Sequence, residues 1–258
     1  MTRVLRILAS PQAVADAAAS ALVTRALDAI AARGRFTLAL SGGATPLRFY
    51  STLANRMQTG APGATAVAWD QVHVFWGDER AVPPAHPDSS FRRAHGLLLA
   101  HVPVPEANIH RIQAELDPSE AATAYEETLR RQFGLGPGAW PVFDLIYLGL
   151  GVDMHTASLF PGSAALDERE RLVAATWVRS KRTYRITLTP PVLNHARAVM
   201  FLVAGEEKAA ALREVLESEP DPKRRPAQVV QPADGELIWL VDEAAAAALS
   251  PATLQAWR

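Results

Sequence analysis

The chain has 258 residues, with 26 Lys plus Arg against 27 Asp plus Glu, a formal net charge of −1 and no cysteine. That length buries a substantial core, and the near-neutral balance gives no electrostatic footprint for nucleic acid. Zero cysteine excludes disulfides, thiolate metal sites and a cysteine nucleophile and favours a cytoplasmic setting, and charges interrupt every apolar stretch before the roughly 18 residues a membrane span needs.

The alanine-rich opening predicts an amphipathic helix over 11–33, with Asp16 and Asp28 arguing against a targeting peptide. FTLALS, Phe36 to Ser41, reads as a strand, and a helix follows over 46–58. The piece between them, SGGATP, combines glycines that expose backbone N–H groups with Ser41, Gly42, Gly43, Thr45 and a proline suited to a first helical turn. Such a turn receives an anion at a helix N-terminus, or is an ordinary tight turn capped by threonine; neither nucleotide-binding glycine signature is present. Thr59–Ala66 reads as a loop.

VHVFWG, Val72 to Gly77, is the next strand, and it runs into Asp78, Glu79 and Arg80. An arginine at a strand end can grip a phosphate or carboxylate through two parallel hydrogen bonds; standing alone, the motif reads more readily as a surface salt-bridge cluster. Helices are predicted over 88–100, capped by Asp88, and over 118–133. FDLIYLG, Phe143 to Gly149, is a strand that opens into GLGVDMHTASLFPG, where His155 is the one histidine of seven that follows a glycine-rich strand end. RITLT (185–189), AVMFLVAG (198–205) and ELIWLVD (236–242) read as strands, with helices over 206–218 and 243–257. The basic run PKRRP, 222–226, reads as a solvated loop.

Strands alternating with helices predict an α/β fold, Rossmann-like, with a mainly parallel sheet covered by helices on both faces and no internal repeat or linker, so residues 1–258 read as one domain. In such a sheet ligands bind beyond the carboxyl ends of the strands. Three polar strand ends in one chain therefore point to one site. No GxSxG elbow and no HExxH occur, which argues against a serine hydrolase and a zinc hydrolase.

Taken together, SGGATP, FWGDERAVPPAHPDSSFRRA and LGLGVDMHTASLFPG closely resemble the 6-phosphogluconolactonase family, over roughly residues 10–245. The resemblance implies the α/β fold shared with glucosamine-6-phosphate deaminase/isomerase, and hydrolysis of 6-phospho-D-glucono-1,5-lactone without metal or organic cofactor. It assigns catalysis to His155, with Asp153 as its orienting partner or a sugar contact. It carries phosphate or sugar contacts to Ser41, Gly42, Gly43, Thr45, Asp78 and Arg80, and, less firmly, to Arg179, Lys181 and Arg185. Backbone N–H groups at Gly42–Gly43 or around Gly151 are the expected oxyanion donors. The implied partner is a small sugar-phosphate lactone, with neither nucleic acid nor membrane, for an enzyme able to act as a monomer.

Two departures from the family pattern stand out. Met154 replaces the glycine between Asp and His, and SKRTYRITLT replaces a proline-rich lysine segment. Two alternatives share these features: an amino-sugar phosphate deaminase/isomerase, against which GDERAV argues in place of a D-E-Y pattern, and a sugar-phosphate sensor, for which no output segment is found.

Overall fold

The computed structural model describes residues 2–61 and 63–257; Pro62, inside the loop predicted over 59–66, lies outside them. Chain order runs β1 (Thr2–Leu8), α1 (Pro11–Arg33), β2 (Phe36–Leu40), α2 (Ala44–Gln58), β3 (Val72–Trp76), β4 (Asp78–Arg80), α3 (Ser90–Leu97), α4 (Pro118–Phe133), β5 (Leu145–Gly149), β6 (Val173–Val178), β7 (Thr183–Leu188), α5 (Pro190–Asn194), β8 (Ala198–Val203), α6 (Ala209–Glu217), β9 (Glu236–Asp242), α7 (Glu243–Ala246) and α8 (Pro251–Ala256), with short 3₁₀ turns between. Among the described residues no helix is long and apolar enough to cross a membrane.

Six strands form a parallel sheet in the order β1-β9-β8-β5-β2-β3. β2 and β8 are buried along their whole length, as their near-continuous apolar runs require when helices cover both sheet faces. Beside this sheet stands a separate three-stranded antiparallel one, β4-β7-β6. The predicted strand 185–189 therefore exists but lies in the small sheet.

Helix ends follow their caps. Ser10 caps α1 through the Ala13 N–H, Pro11 opens the helix, and Gly34, at φ 72°, closes it. The α1 face toward the sheet is mostly alanine, with Ala15, Ala18, Ala19 and Ala26 buried around Leu22, so helix and sheet approach closely. Ser89, and not Asp88, caps α3, accepting the Arg92 N–H. The predicted helix 243–257 is two helices, because Pro251 suits only a first turn and Ser250 caps the second start.

Two strands that neighbour each other inside the sheet, β2 and β5, feed connections that leave in opposite directions. The crevice beyond their carboxyl ends is the topological switch point, where open α/β sheets hold their ligands.

Candidate active site

After β2 the chain turns sharply. The buried Tyr50 hydroxyl on α2 donates to Ser41 O at 2.6 Å and accepts the Ser41 N–H at 3.1 Å, fixing where the turn begins. Gly43 sits at φ 113°, a conformation costly for any side chain, and a Cβ on Gly42 would stand 2.6 Å from Ser90 Oγ and 3.2 Å from the terminal nitrogens of Arg80. α2 then starts at Ala44 without any side-chain cap, so the threonine cap expected as the alternative is not formed. An uncapped helix N-terminus presents unpaired N–H groups and the positive end of the helix dipole.

β4 sorts its three charges by strand alternation. Asp78 and Arg80 face the crevice, while Glu79 turns away and is only 2% exposed. Glu79 accepts from Ser89 Oγ (3.0 Å), Ser90 N (2.7 Å) and Phe91 N (2.8 Å), thereby holding the start of α3; the segment is no surface salt-bridge cluster. Arg80 donates from Nη1 to Asp88 O at 2.7 Å and to Ser90 Oγ at 3.2 Å, yet its buried Nε has no hydrogen-bond partner among the described residues. Arg185, opposite Arg80 in the β4–β7 register, likewise has a buried Nε without a partner. Burial pushes the Arg185 guanidinium below its ordinary pKa, Asp78 pulls it back up and Arg80 lowers it further. Two adjacent guanidinium groups thus keep donors without a partner among the described residues, which is chemistry that could receive an anion.

The third strand end is the loop after β5. Gly151 donates its N–H to His155 O at 2.9 Å and accepts the Met154 N–H at 2.9 Å, closing a compact turn. A Cβ on Gly151 would overlap the His155 ring and the Asp153 carboxylate, so the close packing of this pair requires glycine. Its N–H being committed, Gly151 is not a free oxyanion donor. Asp153 Oδ1 pairs with His155 Nδ1 in a short contact, and the ring stacks on Phe160 at a centroid separation of 4.1 Å and 15°. Nδ1 is thus engaged, and among the described residues Nε2 has no hydrogen-bond partner. Partial burial raises the Asp153 carboxyl pKa, but the hydrogen bond and charge of His155 outweigh burial and hold it below the usual value.

Met154, in the position where the resembled family has glycine, adopts φ 64°. A left-handed conformation costs a non-glycine residue about 1–2 kcal/mol. Two contacts hold it there: the Ala227 N–H donates to Met154 O at 3.0 Å, and the side chain packs on the core.

These pieces share a cavity of about 620 Å³. Ser41, Gly42, Gly43, Thr45, Asp78, Arg80, His155 and Lys181 line it; Asp153 stands behind His155. Arg179 is exposed on the 3₁₀ turn Arg179–Lys181 and does not line it. Arg185, the weaker expectation, does. Glu207 and Lys208, which the sequence reading passed over, enter from the turn after β8, where Asp242 accepts the Gly205 N–H at 3.1 Å. Among the described residues Arg80, Lys181, Arg185 and Lys208 form no salt bridge, and no group of three or more His, Asp or Glu side chains is placed to hold a metal ion.

A histidine–carboxylate pair facing a cationic cradle, at the switch point of a parallel sheet, defines an α/β enzyme for small anionic substrates. Comparison with known proteins gives the family: residues 9–239 match the model described as glucosamine-6-phosphate isomerases/6-phosphogluconolactonase, and the chain belongs to that family. It is 45% identical over 246 residues to a 6-phosphogluconolactonase of Synechocystis sp., covering 95% of this chain and 98% of that one. It is 40% identical to the 6-phosphogluconolactonase of Homo sapiens, covering 95% and 93%. Among solved structures, 6-phosphogluconolactonase from Trypanosoma cruzi superposes with a TM-score of 0.82 at 27% identity, over 97% of this chain and 98% of that one.

Proposed function

We propose that this chain hydrolyses 6-phospho-D-glucono-1,5-lactone to 6-phospho-D-gluconate, with His155 as general base. The observation that carries the chemistry is the His155–Asp153 pair opening onto the same cavity as four cationic side chains that have no ion-pair partner among the described residues. Relatives named 6-phosphogluconolactonase at high coverage supply the substrate.

The substrate carries a phosphate at one end and a lactone carbonyl at the other. The uncapped N-terminus of α2, Arg80 and Arg185 hold the phosphate, joined by Lys181 and Lys208. That leaves His155 Nε2 for a water molecule. Nε2 removes a proton as the water oxygen attacks C1, and the C1–ring-oxygen bond then breaks as the imidazolium returns that proton to the departing oxygen. Asp153 fixes the ring orientation, keeps the proton on Nδ1 and stabilises the transient imidazolium. With the Gly151 N–H itself spent inside its own loop, the Gly42–Gly43 turn is the favoured backbone donor to the tetrahedral oxyanion over the N–H groups that flank Gly151.

Initial-rate hydrolysis of freshly prepared phosphogluconolactone, corrected for spontaneous opening, tests the assignment with wild type and His155→Ala side by side. Equal rates for the two dismiss the base. Release of ammonia from glucosamine 6-phosphate, with no lactone hydrolysis, identifies the deaminase reading instead.

A further inference from the structure

Ser158 lies three residues beyond His155 and is fully buried, so it cannot reach substrate. Its hydroxyl donates to Asp78 Oδ2 at 2.6 Å, a bond between residues 80 positions apart, and its N–H donates to Thr187 Oγ1 at 3.3 Å. Asp78 and Thr187 are register partners across β4 and β7. Those strands carry Arg80 and Arg185, each on the cavity wall. One residue of the histidine loop is therefore fastened to both strands of the cationic clamp.

The rest of the loop is tied chiefly to itself or to elements outside the clamp. Thr156 Oγ1 donates to Gly149 O, Thr156 and Leu159 exchange backbone bonds, and Met154 and Gly162 are held by Ala227 and Lys223. Among the described residues, the Ser158 hydroxyl is the one loop side chain that hydrogen-bonds a residue of β4 or β7. A hydroxyl bound to a buried carboxylate is a strong and directional link.

We infer that Ser158 is a positioning residue: through Asp78 and Thr187 it sets the distance between the His155 base and the arginines that grip the far end of the substrate. The inference rests on the lactonase reading. Phosphate and lactone carbonyl are a fixed covalent distance apart, so a base displaced by about 1 Å relative to the clamp loses up to about a hundredfold in rate without loosening the grip on phosphate.

The test compares Ser158→Ala and the near-isosteric Ser158→Cys with wild type, scaled to the folded fraction by circular dichroism. Readouts are kcat and KM for the lactone and Ki for inorganic phosphate. Positioning predicts that kcat falls at least about tenfold in Ser158→Ala and by less in Ser158→Cys, while Ki stays within about threefold. Should Ser158→Ala fail to fold, the folded Ser158→Cys variant gives the same kcat-against-Ki reading, since a thiol is a weaker donor to Asp78 than a hydroxyl. The inference is overturned if kcat stays within threefold in the folded variants, or if Ki rises as far as kcat falls. An inactive wild type instead rejects the lactonase assignment, so the two failures are distinguishable.

Discussion

Asp153 holds Nδ1 of His155 from only two residues away, inside a turn so tight that Gly151 has no room for a β-carbon. His155 holds the carboxyl pKa below the ordinary value despite burial, so burial does not return it to the neutral form. Asp153→Asn keeps the shape and removes the charge. It is expected to lower kcat about a hundredfold, in line with general-base contributions of about 10²–10⁴, and to leave KM within a few-fold. Steady-state kinetics on the fresh lactone decide it, and a kcat within threefold of wild type would remove Asp153 from the mechanism.

Met154 converts a departure from the family pattern into a conformational test. Its φ of 64° is free to glycine and costly to any branched side chain. Met154→Gly should retain kcat within about threefold, since relief of roughly 1–2 kcal/mol of backbone strain offsets the lost packing. Met154→Val should lose at least tenfold in kcat together with several degrees of Tm. Equal behaviour of the two variants would show that the backbone there is not constrained.

The clamp makes a prediction by subtraction. Arg80→Ala and Arg185→Ala remove paired donors and should each raise KM about 10- to 100-fold, with lysine restoring little because a point charge lacks the planar fork. Lys208→Ala should raise KM about tenfold, the 1.4 kcal/mol of one modest charge-assisted contact. Arg179→Ala, outside the cavity, should change KM less than twofold. A KM effect of Arg179 as large as that of Arg80 would reverse the placement.

What the residues alone revealed follows from where each element sits. β2, β8 and β9 announce themselves because helices bury them and force near-continuous apolar runs, while α1 and α4 carry their stops in Gly34 and Gly134. β1 escaped notice because it is an edge strand with mostly exposed side chains, and β4 because it is three charged residues whose strand character exists only in its pairing with β7. The site divides the same way. Three polar strand ends were legible locally, whereas Glu207 and Lys208 lie in the 3₁₀ turn Glu206–Lys208, in a run that reads as ordinary surface charge. The same strand-end rule applied to AVMFLVAGEEK would have found them. Arg185 owes its place to an antiparallel register set over a hundred positions away in sequence, at Arg80. Lys181, and not Arg179, reaches the cavity at a turn where Arg182 sits at φ 48°, a geometry no local pattern foretells.

Away from the site, two histidines should set the acid limit of the fold. His73 Nδ1 and His110 Nε2 lie 3.2 Å apart with rings stacked at 4°, and His110 also stacks on Phe75 at 4.5 Å. Burial, with the charges of His73 and Arg131, lowers the His110 pKa to about 4, and burial with Arg35 lowers that of His73. An unfolded histidine titrates near 6.5, so between about pH 6.5 and 4 the unfolded chain binds more protons than the folded one. Stability from His110 is therefore full above that window and is lost progressively as pH falls through it. Tm followed from pH 7 to 4.5 should drop, and His110→Phe, which keeps a ring against Phe75 but cannot take up a proton, should flatten the decline. An unchanged slope in that variant would place the acid sensitivity elsewhere, whereas a flattened one identifies the buried imidazole as the proton acceptor that begins acid unfolding.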